Sequence, residues 1–364
     1  MERCLRLASQ ALGRTAPNPA VGAVVVDRQG QVVGQGYHER AGLAHAEVVA
    51  LDAAGEAARG GTLYVNLEPC CHHGRTPPCV ERVVSSGIKR VVVSMVDPNP
   101  AVAGRGIEAL RHAGCQVEIG VLEAESRWLN RGFVKMMTRG LPWVCLKLAT
   151  TLDAKIADRT GQSRWISGPE ARQHVHELRN IFDCVLVGGA TALRDDPELN
   201  VRGVAGGRDP LRAVVDPDLA VCPGSRICNG DEGSSTVLFC SADAIGRRGG
   251  CFPDHVRLVE IGRDRSTVGY LDLHEVMAWL GAEGVLTVLC EGGGRLAAGL
   301  VASGLVDEVK WIVSPKILAD TQAVPAIAGL GEVLLKDARQ LKDVSVTQLG
   351  SDVLICGTMI GEIC

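Results

Sequence analysis

His45-Ala46-Glu47 opens a stretch that runs through Glu68-Pro69-Cys70 and closes at Pro77-Pro78-Cys79, and the order of these residues decides how the first half of the chain is read. One imidazole and two thiolates form a soft ligand set for a tetrahedral zinc that keeps its fourth position open. Glu47 follows the imidazole by two residues, close enough to move protons for whatever occupies that position. Together they make a kit for activating water. Taken one at a time, a helical His and a few core thiols are ordinary; Glu47 at this spacing and a proline ahead of each cysteine turn the set into a metal site. Cys71 competes with Cys70 for the ligand position. Pro69 fixes φ just before Cys70, where a strand end turns toward a helix, and this favours Cys70. Eight residues separate Cys70 from Cys79, and cysteines at a helix mouth and a short loop away still converge on one ion.

Working outward, residues 45–58 have helical spacing, which places His45 and Glu47 near a helix start, where partial positive charge favours an anion. Residues 1–13 read as a short amphipathic helix. Pro17-Asn18-Pro19 is a rigid turn ahead of a strand at 21–27, which pairs back with 32–37. Asn18 reads equally well as a turn former and as a residue reaching into the site. Strands at 62–67, 90–96 and 115–121 alternate with helices at 80–86 and 107–113, the signature of a layered α/β domain. His72 and Arg75 lie between the two thiols. A loop His is usually just solvated, but this position suits contact with a ligand, and Arg75 suits a bidentate grip on phosphate. Residues 123–141 read as a helix and linker, and Gly140-Leu141-Pro142 breaks the pattern, giving domains 1–142 and 143–364.

The second half opens with an apolar strand at 143–150 carrying Lys147 in its middle, a lysine that must either snorkel or serve. A helix at 169–180 has Pro at its first turn, and a strand at 184–188 ends in Gly188-Gly189-Ala190-Thr191. The adjacent acids of Arg194-Asp195-Asp196-Pro197 read as a solvated turn, and residues 241–254 as an uninformative loop. A strand at 286–290 runs into Glu291-Gly292-Gly293-Gly294 and then a helix at 295–303. Strand, glycines, helix lets bare backbone N–H groups approach an anion. It is not the G-x-G-x-x-G dinucleotide fingerprint.

The chain's 364 residues favour two domains, and with 46% hydrophobic but only 3% aromatic residues their cores are aliphatic. A net charge of -4 argues against coating nucleic acid or a membrane. An anionic small substrate stays open, since local Arg and Lys bind phosphate whatever the total. Cys145, Cys184, Cys290 and Cys356 sit in apolar strand-like runs and read as reduced core residues. Residues 1–13 lack a continuous apolar stretch, so we expect neither signal peptide nor membrane span and a cytoplasmic location.

The order H-x-E followed by P-C is similar to that of the zinc deaminases, where the Glu shuttles protons rather than binding metal. From Pro17 to the C-terminus the chain resembles the bifunctional deaminase/reductase of riboflavin biosynthesis. The resemblance rests on Pro17-Asn18-Pro19-Ala20-Val21-Gly22-Ala23, His45-Ala46-Glu47, residues 68–79 and Asp97-Pro98-Asn99-Pro100. Further along it rests on residues 152–157, Trp165-Ile166-Ser167, Asp195-Asp196-Pro197 with Arg202, and Glu291-Gly292-Gly293-Gly294.

It implies a cytidine-deaminase-like three-layer α/β/α domain followed by a dihydrofolate-reductase-like α/β domain. The first would use Zn2+ to deaminate a phosphorylated diaminopyrimidine, and the second would use NADPH to reduce the ribosyl chain of the product. His45, Cys70 and Cys79 would then hold zinc with Glu47 as catalytic acid/base, while Asn18, His72 and Arg75 contact substrate. Matching cofactor positions are Ala149, Trp165, Thr191, Asp195, Gly293, Gly294 and Arg295. Matching substrate positions are Ser163, Arg179, Leu199, Arg202 and Glu291, with Arg179 and Arg202 suited to the phosphate and Lys147 a proton donor during hydride transfer. A homo-oligomer, dimer or tetramer, is expected. One position departs: Ala154 stands where the family has Gly, and alanine there calls for φ below zero or a wider approach to cofactor.

Two rivals remain at this stage. One keeps the zinc deaminase but gives it another nucleotide or base as substrate; the other makes residues 143–364 a nucleotide-binding module without catalysis.

Overall fold

The computed structural model describes residues 1–71, 78–100, 102–229, 235–264, 270–329 and 333–360. The chain divides into two compact units, Met1–Leu141 and Pro142–Cys364. No helix among the described residues is long and apolar enough to cross a membrane.

The first unit is built on a five-stranded sheet in the order Val32–Tyr37, Gly22–Val26, Thr62–Leu67, Arg90–Met95, Gln116–Ile119. The first three pair antiparallel and the last three parallel. Glycines decide how closely the helices approach. Gly34 and Gly36 lie two apart, so they share a face; a Cβ at either would strike Ala50 or Val49 of helix Ala46–Ala54. Gly22 lies beside them on the opposite face, where a Cβ would strike Cys4 of helix Glu2–Ser9. Helices therefore cover both faces, giving three layers. Residues 123–141, expected as a helix and linker, form two helices, Glu123–Leu129 and Arg131–Arg139, broken at Asn130. The break has a use: the buried Asn130 amide accepts from Ala20 N at 2.8 Å and donates to Ala20 O at 3.0 Å, pinning the chain just after Pro17-Asn18-Pro19.

The second unit holds a nine-stranded sheet. From one edge its strands run Val256–Glu260, Thr236–Cys240, Leu211–Val215, Cys184–Gly188, Thr287–Gly292, Trp143–Thr150, Glu308–Val313, Asp352–Met359, Leu341–Leu349. The first seven are parallel, and the last two join antiparallel. Strand order reverses around Thr287–Gly292, which slips between Cys184–Gly188 and the domain's first strand. Parallel sheets bind ligands beyond the carboxyl ends of strands at such a reversal. Three neighbouring strand ends deliver Lys147 and Ala149, Gly188 to Thr191, and Glu291 to Gly294 to one place. Helix Pro169–Ile181 buries Ala171, Val175 and Leu178 and brings Arg172, Val175, His176 and Arg179 to that place.

Residues 241–254, expected as loop, contain helix Ala242–Arg248, capped by the Ser241 side chain accepting from Ala244 N. Of the two alternatives expected at Ala154, a φ below zero is not the one taken: its φ is +57°. The turn Thr151–Ala154 forces it, since Ala154 N bonds Thr151 O, Thr151 N bonds Lys155 O, and Ala326 N bonds Ala154 O. Left-handed backbone costs an alanine about 1–2 kcal/mol, while glycine costs about 0.5–1 kcal/mol in unfolded-state entropy. Ala154→Gly should therefore raise stability by about 0.5–1 kcal/mol, read as a higher urea midpoint at unchanged slope.

Candidate active sites

In the first unit, His45 sits at the N-cap of helix Ala46–Ala54 and Cys79 is the first residue of helix Cys79–Ser85. Cys70 follows strand Thr62–Leu67 by three residues. The Glu68 carboxylate between them accepts backbone N–H bonds from Asp97, Gly104, Gly106 and Ile107, which ties the strand end to the start of helix Arg105–His112. Three elements thus aim three ligand atoms at one point. His45 Nδ1 lies 3.2 Å from Cys79 Sγ and 3.6 Å from Cys70 Sγ, and Cys79 N donates to Cys70 Sγ at 3.3 Å. All three ligand atoms fall within 4.8 Å of one another. A tetrahedral zinc with bonds of about 2.0–2.3 Å separates its ligand atoms by roughly 3.5–3.8 Å, so the donor set fits this ion. Cys71 is not part of the group.

The charges agree with that fit. Cys79 holds its proton against Cys70, so hydrogen bonding from Cys79 drops the Cys70 pKa to about 4 despite burial, while Cys79 is pushed up, first by Cys70 and then by burial. Two sulfurs this close ionise together only beside a cation. Hydrogen bonding to Cys70 raises His45. Glu47 is 4% exposed, and burial, with Cys70 adding to it, pushes its carboxyl up to about 7.

Asn18 comes to this site through a residue the sequence reading passed over. His38 is 2% exposed, its ring packs edge-on against His45 at 5.3 Å, and its Nε2 lies 3.1 Å from Asn18 Nδ2. Its Nδ1 lies 3.1 Å from Ala44 O, and burial lowers its pKa. No periodicity marks His38; the signal was its place seven residues before His45, at the end of the strand that returns beside Asn18. His72 and Arg75 lie outside the described residues.

In the second unit, a cavity of about 1040 Å³ is lined by Lys147, Ala149, Ser163, Trp165, Arg179, Thr191, Asp195, Leu199, Arg202, Glu291, Gly293, Gly294 and Arg295. All the positions in this half expected to contact cofactor or substrate, and Lys147 with them, line that one space. Arg164, Arg172, Arg194 and Arg226 line it too, making it strongly cationic in a chain of net charge -4. Local charge of this kind suits phosphate groups.

Arg179 holds Glu291 with both prongs, Nε to Oε1 at 2.5 Å and Nη2 to Oε2 at 3.0 Å, and gives Nη1 to Asn200 O. Its guanidinium is occupied, which leaves Arg202, exposed and paired among the described residues with Glu198 in a surface contact, better suited to a phosphate. Lys147 Nζ lies 3.9 Å from Glu291. Burial lowers the Lys147 pKa, with Arg179 adding and Glu291 opposing; burial would raise Glu291, but Arg179 and Lys147 outweigh it and its pKa is lowered.

The acids before Pro197 are not a solvated turn. Asp195 ends helix Gly189–Asp195 and accepts from Ser163 Oγ at 3.4 Å, with its pKa raised by burial. Beyond it Asp196 and Leu199 take φ of +40° and +53°. Such strain is usual at ligand clamps. Trp165 is 63% exposed at the cavity, with the Arg172 guanidinium 4.5 Å over its ring. Gly293, at φ +85°, caps helix Gly294–Ala302, and a Cβ there would crowd Thr191 Oγ1 at 3.0 Å. Bare glycine at a helix start beside a cationic cavity fits an anionic cofactor.

Comparison with known proteins bears on both units. Residues 1–95 match the model of the cytidine and deoxycytidylate deaminase zinc-binding region, and residues 142–355 match that of the RibD C-terminal domain. Riboflavin biosynthesis protein RibD of Aquifex aeolicus (strain VF5) is 40% identical, the alignment covering 98% of this chain and 96% of that protein. Its counterpart in Escherichia coli (strain K12) is also 40% identical, covering 98% and 97%. Among solved structures, Acinetobacter baumannii RibD, form 1, superposes with a TM-score of 0.87 at 35% identity over 99% of this chain and 98% of that one. A diaminohydroxyphosphoribosylaminopyrimidine deaminase/5-amino-6-(5-phosphoribosylamino)uracil reductase of Thermotoga maritima gives 0.85 at 36% identity, covering 99% and 97%.

The zinc fit carries a direct expectation. Purified protein should hold one zinc per chain, and Cys79→Ser should lose it, since a hydroxyl is a poor replacement for thiolate. Elemental analysis after gel filtration reads the difference.

Proposed function

The chain belongs to the RibD family of bifunctional riboflavin-biosynthesis enzymes, a zinc deaminase joined to an NADPH reductase, and from there we propose how its residues divide the work. The observation that carries the reading is the convergence of His45, Cys70 and Cys79 within 4.8 Å, with Glu47 buried two residues along. The reductase-type second half and the similarity along the full length disfavour both rivals, the deaminase of some other base and the non-catalytic module.

In the deaminase unit His45, Cys70 and Cys79 would hold the ion. Zinc supplies Lewis-acid activation of water at mild pH. Glu47 accepts a proton from the attacking water and passes it to the departing amine, so a C–N bond is exchanged for a C–O bond and ammonia leaves neutral. Burial favours this double duty because it holds the carboxyl near neutrality, where it both gives and takes a proton. Asn18, His72 and Arg75 contact the substrate in this reading.

In the reductase unit NADPH supplies the hydride. Ala149, Trp165, Thr191, Asp195 and the run Gly293, Gly294 and Arg295 bind it; Trp165 offers a ring face and Gly293 a close backbone approach. Ser163, Leu199 and Arg202 bind the product of the first reaction, a phosphorylated pyrimidine. Arg179 fixes Glu291, and Glu291 in turn steadies Lys147 as proton donor to the ribosyl oxygen. The edge strand Leu341–Leu349 exposes Val344 and Val346, which supports assembly with further copies of the chain, as a dimer or tetramer.

Glu47→Gln separates the roles. We expect zinc retained, NADPH oxidation on the deaminated substrate unchanged, and ammonia release down by about 10²–10⁴, the usual worth of a general acid/base. Ammonia release within about twofold of the unmodified enzyme would remove Glu47 from the proton path.

A further inference from the structure

His38 stands between two groups whose hydrogen-bonding characters differ. Ala44 O is a backbone carbonyl and only accepts, so the Nδ1 facing it at 3.1 Å carries the ring proton. The Asn18 atom 3.1 Å from Nε2 is the amide Nδ2, which only donates, so Nε2 accepts and the ring carries its single proton on Nδ1. An amide that spends its NH2 this way offers Oδ1, an acceptor, to a ligand.

We infer that His38 is a positioning residue of the deaminase: through the order Ala44 O, His38, Asn18 it fixes which end of the Asn18 amide meets the substrate, and so selects a ring that presents an N–H donor, such as an amino group. The inference rests on the reading of Asn18 as a substrate contact. Geometry supports the rigidity that it needs. Asn18 N is held by Thr15 O at 2.8 Å, Ala20 is pinned by Asn130, and the His38 ring is buried edge-on against His45. A flipped amide would set its carbonyl against the lone pair of Nε2 and offer the substrate amine a second donor, a mismatch at both ends. His38 thereby ties recognition to the same backbone that leads into the metal ligand His45, one residue past Ala44.

The test is a double-mutant cycle on the full-length, zinc-loaded enzyme, reading ammonia release, zinc content and NADPH oxidation. His38→Leu, which keeps the bulk but cannot accept, should lower kcat/KM for ammonia release about tenfold, the scale of one misplaced hydrogen bond, with zinc and NADPH oxidation unchanged. His38→Gln, whose amide reaches the Nε2 position, should recover to within about threefold. In an Asn18→Ala background the His38→Leu effect should shrink below about twofold, because nothing remains to orient. Additive losses in the double variant would overturn the inference and assign His38 to packing alone. Full ammonia release by Asn18→Ala itself would remove the underlying reading of Asn18, which is a distinguishable failure. Should His38→Leu lose zinc, His38→Asn serves instead: its shorter amide reaches Ala44 but not Asn18, and the same non-additivity with Asn18→Ala is expected, its absence again overturning the inference.

Discussion

Two cysteine sulfurs and an imidazole nitrogen packed within 4.8 Å cannot all be in their ligand forms without a positive charge among them. Much of the first unit is arranged around that demand. Two helices begin at it, one capped by His45 and one opening on Cys79. Glu68 gathers four backbone N–H groups so that the strand end leading to Cys70 stays in register with the start of the next helix. Gly34 and Gly36 let helix Ala46–Ala54 lie close on the sheet, which sets the height at which His45 and Glu47 enter.

The second unit meets a different electrostatic problem with a similar device. Its cavity gathers arginines from several elements, and their repulsion is relieved by a few partly buried acids. Glu291 takes Arg179 and Lys147 together, and Asp195 holds the segment of Ser163 and Arg164. What remains exposed, Arg202 and Arg295 among them, is positive charge of the kind that suits phosphate. The strand reversal around Thr287–Gly292 explains why this happens at one spot: neighbouring parallel strands end there, and their carboxyl ends carry Lys147, Glu291 and the glycines.

The candidate metal group and Glu47 beside it were legible in the sequence because their signal is local, a spacing of residue types that chemistry restricts. The alternation of strands and helices was legible from hydrophobic period. What escaped depends on distance. Arg179 and Glu291 lie 112 residues apart, and nothing in either neighbourhood announces that one will occupy the other. His38 was hidden for the same reason, since its meaning comes from Asn18 and Ala44 on either side of a folded hairpin. Helix Ala242–Arg248 was missed through its Gly246 and short length, although Ser241 was a readable cap. Ala154 failed in the opposite direction: a sound preference against left-handed alanine yields where three hydrogen bonds around one turn fix the backbone.

X-ray absorption at the zinc edge on the purified full-length protein reads the metal's own surroundings and is the most direct check on where the ion sits. We expect two sulfurs at about 2.3 Å, one imidazole nitrogen at about 2.0–2.1 Å and one light oxygen ligand completing a tetrahedron. A shell of three or four sulfurs, one with none, or a protein that takes up no zinc would contradict the assignment of His45, Cys70 and Cys79.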